Sequence, residues 1–231
     1  MASPTFGAAG TYLTGVNAST AAFAVPTGAA ADEIMVVGMY LEGTAAVTPP
    51  TGFTQKSRPT TGSGGSDHDL IVFWKRCTGA DSGTYSFSWT GGLWREGACV
   101  RISGCVTSGD PFNVVGTNAS TTAGSGVTPA SSNTTTVTDT LQLFVGSNFN
   151  GGAWTPPSGY TERVDNSSDL TVATLAQATA GASGSITATC AGGSASSCSF
   201  VGALKSTTSV VPGGAAAPRR PLSRYRYLIG R

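Results

Sequence analysis

The chain has 231 residues and a formal net charge of +1, and only 11% of its residues are charged. Glycine, threonine and serine are abundant (32, 33 and 27 residues), a composition that favours strands and turns over long helices. The charge is uneven, because residues 1–205 carry eight Lys or Arg against twelve Asp or Glu, whereas residues 206–231 carry five Arg and no acid. A net negative body has no general affinity for nucleic acid or an anionic membrane surface.

The first residues, Met1–Gly7, lack the basic start and apolar core of a secretory signal, and no apolar run reaches the length of a membrane span. We therefore do not expect classical export. A Lys-poor, Ser/Thr/Gly-rich composition is nevertheless typical of surface-exposed proteins. A virion protein that is made in the host cytoplasm and released by lysis reconciles both observations, and the virion is the predicted localisation.

Short apolar segments separated by Gly, Pro and Ser predict six strands in the first half of the chain, with counterparts in the second half. The predicted strands cover residues 15–24, 33–41, 52–58, 69–76, 83–89 and 97–103. In the fifth of them Tyr85, Phe87 and Trp89 alternate with serines, which predicts a strand with one buried face. The equivalent residues of the second half are smaller, so the sequence predicts a thinner second core.

An internal repeat is the strongest signal in the chain. Residues 32–37 realign on 139–144 at an offset of 107, and the corner Thr48-Pro-Pro-Thr-Gly-Phe-Thr realigns on Thr155-Pro-Pro-Ser-Gly-Tyr-Thr at the same offset. Later matches fall at an offset of 101. The predicted organisation is an N-terminal arm, a first β-repeat, a linker, a second β-repeat, and a linker with a basic C-terminal tail. Their bounds are residues 1–14, 15–104, 105–115, 116–205 and 206–231.

The predicted fold class is all-β. A 90-residue unit with an inner face of Ala, Cys, Val and Thr buries less apolar surface than an independent domain normally needs. One shared core is therefore favoured, in a jelly-roll-like sandwich of two sheets and about twelve strands. Two immunoglobulin-like sandwiches in series are the alternative.

Catalytic chemistry has little support in the sequence. The single histidine, His68, lies in an Asp-His-Asp triplet, which we interpret as a solvated polar loop. Glu42, Glu96 and Glu162 are candidate acids for glycoside hydrolysis, but nothing in the sequence pairs them. No nucleotide-binding motif or hydrolase elbow is present and the five cysteines lack metal-site spacing, so no enzyme, no cofactor and no metal is predicted. Small buried thiols are favoured over a bridge between Cys190 and Cys198.

Two features are candidates for partner binding. Trp94 lies in a Gly-Gly-Leu-Trp-Arg-Glu segment that is predicted to be a hairpin turn, where an exposed ring could contact a partner or a glycan. The basic tail combines charge with apolar anchors. Its candidate partner-binding residues are Arg219, Arg220, Arg224, Tyr225, Arg226, Tyr227, Leu228 and Ile229.

Four features of the repeat together resemble a group of phage proteins. They are the strand opened by Asp, the Thr-Pro-Pro corner, the Gly-centred fifth strand and the closing Ser199-Phe-Val-Gly-Ala-Leu segment. These are the repeated β-sandwich proteins that tailed phages encode as capsid decoration or minor tail proteins, and the resemblance covers about residues 15–205. It implies a non-enzymatic virion component that contacts other virion proteins or copies of itself. A carbohydrate-binding adhesion module that recognises a host surface glycan is the alternative function.

Overall fold

A computed structural model describes residues 3–62, 67–120 and 126–211 of the chain. Over these ranges the protein forms fifteen β-strands and no α-helix, which confirms the predicted all-β fold. None of the described segments forms a helix that is long and apolar enough to cross a membrane. The jelly-roll topology and the count of about twelve strands are not confirmed.

The strands are numbered in chain order. The first half contains β1 (Thr5–Ala9), β2 (Leu13–Ala24), β3 (Ile34–Glu42), β4 (Thr54–Ser57), β5 (His68–Arg76) and β6 (Thr84–Ser103). The second half contains β7 (Phe112–Ser120), β8 (Thr134–Thr135), β9 (Thr140–Asn148), β10 (Trp154–Thr155), β11 (Thr161–Val164), β12 (Leu170–Gln177), β13 (Gly181–Ala182), β14 (Thr189–Cys190) and β15 (Ser197–Lys205).

Two antiparallel sheets dominate the architecture, and their strand order reproduces the repeat. The first sheet has the order β1-β6-β3-β5-β4, with β2 also paired to β6, and the second has the order β11-β12-β9-β15-β7. The series β4-β5-β3-β6 and β11-β12-β9-β15 are equivalent, because each strand of one lies at an offset of 107 or 101 from its counterpart in the other. Two further pairs, β10-β14 and β8-β13, are short.

The two large sheets share one hydrophobic core. On β3, Ile34, Val36 and Tyr40 belong to the same buried cluster as Leu143 and Val145 of β9. All of these side chains are essentially inaccessible to solvent. The expected shared core is therefore present, and the two halves are not beads with separate interiors.

Each sheet is also buried on its opposite face. Met35, Val37 and Met39 alternate with the shared-core residues of β3 and pack against Phe23 and Phe87 on the outer side. A strand that is buried on both faces requires a nearly continuous apolar sequence, and β3 has one. The protein therefore has a layer of β-structure outside each central sheet.

Strand β6 connects the two layers of the first half. The sequence predicted separate strands at 83–89 and 97–103, and this prediction is wrong, because β6 runs unbroken from Thr84 to Ser103. Its first part pairs with β2 in the outer layer and its last part pairs with β3 in the central sheet. Gly91 has a φ of +91°, and the β2–β6 register shifts twice. The glycines therefore form bulges in a bent ribbon rather than a turn.

The outer core of the second half is smaller and more polar than that of the first. Tyr85, Phe87 and Trp89 are buried in the first half, and their equivalents Ile186, Ala188 and Cys190 are buried in the second. At the position of Met35 the second half has Gln142, which exchanges hydrogen bonds of 2.9 and 3.1 Å with Asn133. A buried amide pair replaces apolar contacts there, and this agrees with the predicted thinner core.

The segments outside the two predicted repeats also take part in the sheets. Within residues 1–14, β1 pairs with the end of β6. Within residues 105–115, β7 begins at Phe112, whose ring packs on Phe200 with the centroids 6.0 Å apart. All five cysteines are buried free thiols.

A truncation in the shared core tests whether the halves unfold as one unit. Leu143 is fully buried in the second half, whereas three of the four tryptophans, Trp74, Trp89 and Trp94, lie in the first. We expect Leu143→Ala to destabilise the protein by about 2–5 kcal/mol. Urea unfolding followed by tryptophan fluorescence should show a single transition at a lower midpoint.

The matched control is Val115→Ala, also in the second half, because Val115 is 38% exposed. Its effect should stay within about 0.5 kcal/mol. If Leu143→Ala left the tryptophan transition unchanged, or split it into two, the two halves would not fold cooperatively.

Candidate binding cleft between the two halves

A cleft of about 440 Å³ opens where the two halves meet. We call it the seam cleft. The first half contributes Glu42, Trp94 and Glu96, and the second contributes the 149–152 loop and residues 167–169. The seam cleft therefore exists only because the two sheets are packed together.

Strand ends bring the acidic side chains of the cleft together. Glu42 is the last residue of β3, and Glu96 of β6 lies directly opposite Tyr40 in the β3–β6 ladder. Asp169 immediately precedes β12, and its carbonyl accepts a hydrogen bond of 3.0 Å from the backbone N–H of Asn148 at the end of β9. The acids thus lie at one end of the shared core, beyond its last apolar residues.

Three hydrogen bonds connect the residues around these acids. Tyr12 donates its hydroxyl hydrogen to Glu96 Oε2 over 2.8 Å, and the backbone N–H of Asp169 donates to the same oxygen over 3.2 Å. The indole Nε1–H of Trp94 donates to Asp169 Oδ2 over 3.2 Å. Two of these bonds cross from the first half to the second, so the polar groups help to hold the seam closed.

Burial makes one of these acids unusually weak. The pKa of Asp169 is raised to about 7, first by desolvation and second by the negative charge of Glu96. Burial also raises the pKa of Glu42. A carboxyl group that is desolvated beside a negative charge resists ionisation, so Asp169 keeps its proton up to about neutral pH.

Glycoside hydrolysis needs two carboxyl groups that flank the bond to be cleaved. In the structure the acid that adjoins Glu96 is Asp169, whose backbone N–H donates to Glu96 Oε2 over 3.2 Å. Of the three acids that the sequence suggested, Glu42 and Glu96 line the seam cleft. Glu162 is exposed on β11 and does not line it. The described residues hold no group of three or more His, Cys, Asp or Glu that could bind a metal ion.

Trp94 is placed differently from its prediction. It lies within β6 rather than in a hairpin turn, and it is partly buried against the shared core. Its ring occupies the space above Gly15 of β2, where an added Cβ would lie 2.1 Å from Trp94 Cζ2 and 2.4 Å from Glu96 Oε1. Gly15 therefore leaves room for the indole to form a wall of the cleft.

His68 overturns the prediction of a solvated loop. It is fully buried at the start of β5, its Nε2 is 2.8 Å from Ser147 Oγ of the second half, and it stacks on Tyr40 at 4.6 Å between centroids. The next residue, Asp69, is buried as well and accepts a hydrogen bond of 2.8 Å from Arg58 Nε. The seam between the sheets closes over His68, whereas Asp69 is buried on the opposite face of β5, and the sequence shows neither.

The sequence analysis did not identify three residues of the cleft and its surroundings: Asp169, Tyr12 and Gly15. For Asp169 a signal existed in the repeat alignment. At an offset of 101, Asp169 is the repeat equivalent of His68, and both precede or open the same strand of their repeat. Ser147 is likewise equivalent to Tyr40 at an offset of 107. The contact between His68 and Ser147 therefore has a counterpart, in which Asp169 lies near Tyr40. This proximity is evident from the charge of Asp169, which helps to raise the pKa of Tyr40. An approximate two-fold relation between the halves explains why both positions lie at the seam.

The predicted partner-binding residues of the tail, Arg219 to Ile229, lie outside the described residues. Comparison of the chain with protein-family models, with curated proteins and with solved structures finds no match. The function is therefore inferred from the residues and geometry of the chain itself.

The raised pKa of Asp169 predicts that the free energy of unfolding decreases as the pH rises. Its folded pKa of about 7 exceeds the ordinary aspartate pKa of 3.8, so the folded protein binds the proton more tightly than the unfolded chain does. The stabilisation is fully present below about pH 4 and is lost as the pH rises to about 7. Urea unfolding at pH 5, 6, 7 and 8 should show this loss.

Asp169→Asn is the variant that isolates this effect. The amide oxygen can still accept the Trp94 hydrogen bond, and the amide hydrogens can donate to Glu96. The variant should lose less stability than the wild type between pH 5 and pH 8. Parallel pH profiles of the two proteins would show that Asp169 does not titrate in this range.

Proposed function

We propose that the protein is a non-enzymatic structural component of a phage virion, displayed on the capsid or tail and anchored through protein–protein contacts. The observation that carries this proposal is the shared core of the two sheets. A tandem repeat that closes on itself gives a stiff body, and stiffness is what a displayed or load-bearing subunit requires. The resemblance of the repeat units to phage decoration and minor tail proteins supports the same role.

The surface of the body is consistent with permanent exposure. Few large apolar side chains are exposed in the described residues. They are Val16, Val115, Val127 and the adjacent pair Val210 and Val211, and so small a set is normal for a protein surface. The anchor is therefore sought in the basic tail, whose arginines supply charge and whose tyrosines, Leu228 and Ile229 supply apolar contact area.

Removal of the tail tests the anchor. Deletion of residues 212–231 should abolish binding to particles assembled without the protein, as measured by co-sedimentation. Two full-length variants separate charge from apolar contact. One replaces Arg219, Arg220, Arg224 and Arg226 by Ser, and the other replaces Tyr225, Tyr227, Leu228 and Ile229 by Ser. Undiminished binding by the deletion variant would remove the tail from the mechanism.

A carbohydrate-binding adhesion module is the second candidate. The observation that favours it is the composition of the seam cleft, where the Trp94 indole lies beside carboxyl groups and the exposed Asn150. An aromatic wall can stack on a sugar ring, and carboxylate or amide oxygens accept hydrogen bonds from its hydroxyls. A host surface glycan would be the ligand.

A glycan array tests this alternative. Wild-type protein should bind at least one glycan, and Trp94→Ala and Glu42→Gln should each weaken that binding at least tenfold. Trp74→Ala is the matched control, because Trp74 is also partly buried against the shared core but does not line the cleft. If the wild type binds no glycan, the adhesion role is wrong.

A further inference from the structure

The acids of the seam cleft have no cationic partner among the described residues. The four ion pairs in that part of the chain are Lys56–Asp110, Arg58–Asp69, Lys75–Asp81 and Arg101–Glu33. Arg95 adjoins Glu96 in sequence, but its guanidinium donates to the carbonyls of Thr20 and Thr14, at 3.1 and 2.8 Å. Glu96 is only 5% exposed, so an acidic group is held out of water without a counter-charge, which is costly.

A buried hydroxyl near these acids also lacks a partner. Tyr40 is fully buried, and its hydroxyl makes no hydrogen bond to any described residue. It lies opposite Glu96 in the β3–β6 ladder. After burial, the charges that raise the pKa of Tyr40 are, in order, those of Asp169, Glu42 and Glu96. This buried hydroxyl does not line the cleft, but it shows that the carboxyl groups beside it are not neutralised by a described cation.

The wall of the cleft suits one kind of cation. Trp94 presents a partly exposed indole, and a guanidinium group stacks on an aromatic face while it donates to carboxylates in its own plane. A lysine ammonium lacks this planar geometry. The combination of Trp94, Glu42, Glu96 and Asp169 therefore fits an arginine side chain.

The chain itself supplies such arginines. Residues 212–231 follow the last described residue and include Arg219, Arg220, Arg224 and Arg226 but no acid. The body before them is net negative. Charge complementarity between the tail and the seam cleft is thus encoded within one sequence.

The described chain ends far from the cleft. Val210 is hydrogen-bonded to Thr138, just before β9 begins, whereas the cleft lies just after β9 ends at Asn148. A nine-residue strand spans about 30 Å. The tail therefore starts at the end of the sandwich that is opposite to the cleft, so copies placed end to end bring the tail of one to the cleft of the next. The mass in solution distinguishes this arrangement from contact within one copy.

We propose that the seam cleft binds an arginine side chain of the basic segment 219–226 of a neighbouring copy, so that copies associate head to tail. This inference rests on the tail anchor of the proposed function and names its receptor. The contact is heterologous, because the cleft of one copy meets the tail of the next. Such contacts build rings or filaments rather than closed dimers.

Two complementary full-length variants test the contact. The cleft variant carries Glu42→Gln and Asp169→Asn and keeps the tail, whereas the tail variant carries Ser in place of Arg219, Arg220, Arg224 and Arg226 and keeps the cleft. Glu162→Gln is the control, because it removes an exposed acid outside the cleft. Melting temperatures establish that each variant folds, and sedimentation at pH 8 and low salt then gives the mass as a function of concentration.

The expected masses are specific to head-to-tail contact. Wild type and Glu162→Gln should assemble beyond the dimer as concentration rises, and assembly should weaken in high salt. Each of the two complementary variants alone should remain monomeric. Their equimolar mixture should stop at a dimer, because it contains only one functional cleft–tail pair for each pair of molecules.

Two results would overturn the proposal. If a folded cleft variant assembles as the wild type does, the seam cleft is not the receptor. If the wild type remains monomeric at every concentration, the tail does not bind a neighbouring copy. Loss of particle binding on tail deletion is a separate measurement, so the tail anchor can hold while this contact fails.

Discussion

The packing of two β-sheets on a common apolar core is the constraint from which the remaining features follow. Neither repeat has a solvent-facing side on its central sheet, since β3 and β9 are buried on both faces. At about 25 cal/mol for each Å² of apolar surface removed from water, this face is the largest source of stability that the halves have in common. Separating them would expose Ile34, Val36, Leu143 and Val145 together. Each half therefore needs the other to cover the inner face of its central sheet.

The ends of this core are where polar groups gather. Apolar packing stops at Tyr40 on β3, and beyond it the two sheets meet through Glu96, Asp169, Trp94 and Tyr12. Carboxyl groups at such a position ionise more readily where the seam is open to water or to a ligand. The seam cleft is the opening, and its weak acid reflects incomplete solvation at the edge of an apolar layer.

Much of the fold could be predicted from local pattern. Three signals reflect local backbone geometry or the duplication of the sequence, and the structure agrees with all of them. They are the alternation of Tyr85, Phe87 and Trp89 with serines, the Thr-Pro-Pro corners, and the repeat offset of 107. The course of β6 could not be predicted, because Gly91 favours a turn and a bulge equally and only pairing with β2 decides between them. His68 resembled a loop residue for the same reason, because the strand that covers it, β9, lies more than 70 residues away in the sequence.

The candidate site shows the same limit more strongly. Trp94 and Glu96 were noticed for their chemistry, but their partner Asp169 lies 73 residues beyond Glu96 and has no distinctive local motif. Only the repeat alignment connects it to the seam, through its equivalence with His68. The sequence analysis identified side chains on the wall that the first half contributes. It could not identify the wall that the second half contributes, because only tertiary packing brings that wall to the cleft.

The burial of His68 has a practical consequence. It is the single histidine of the chain, and it lies between Tyr40 of one half and Ser147 of the other. Ring-current shifts from the stacked phenol will displace its imidazole resonances from their random-coil positions. The displaced signals report the packing of β3 against β5 within the first half, whereas the state of Nε2, which contacts Ser147 Oγ, reports contact with the second half.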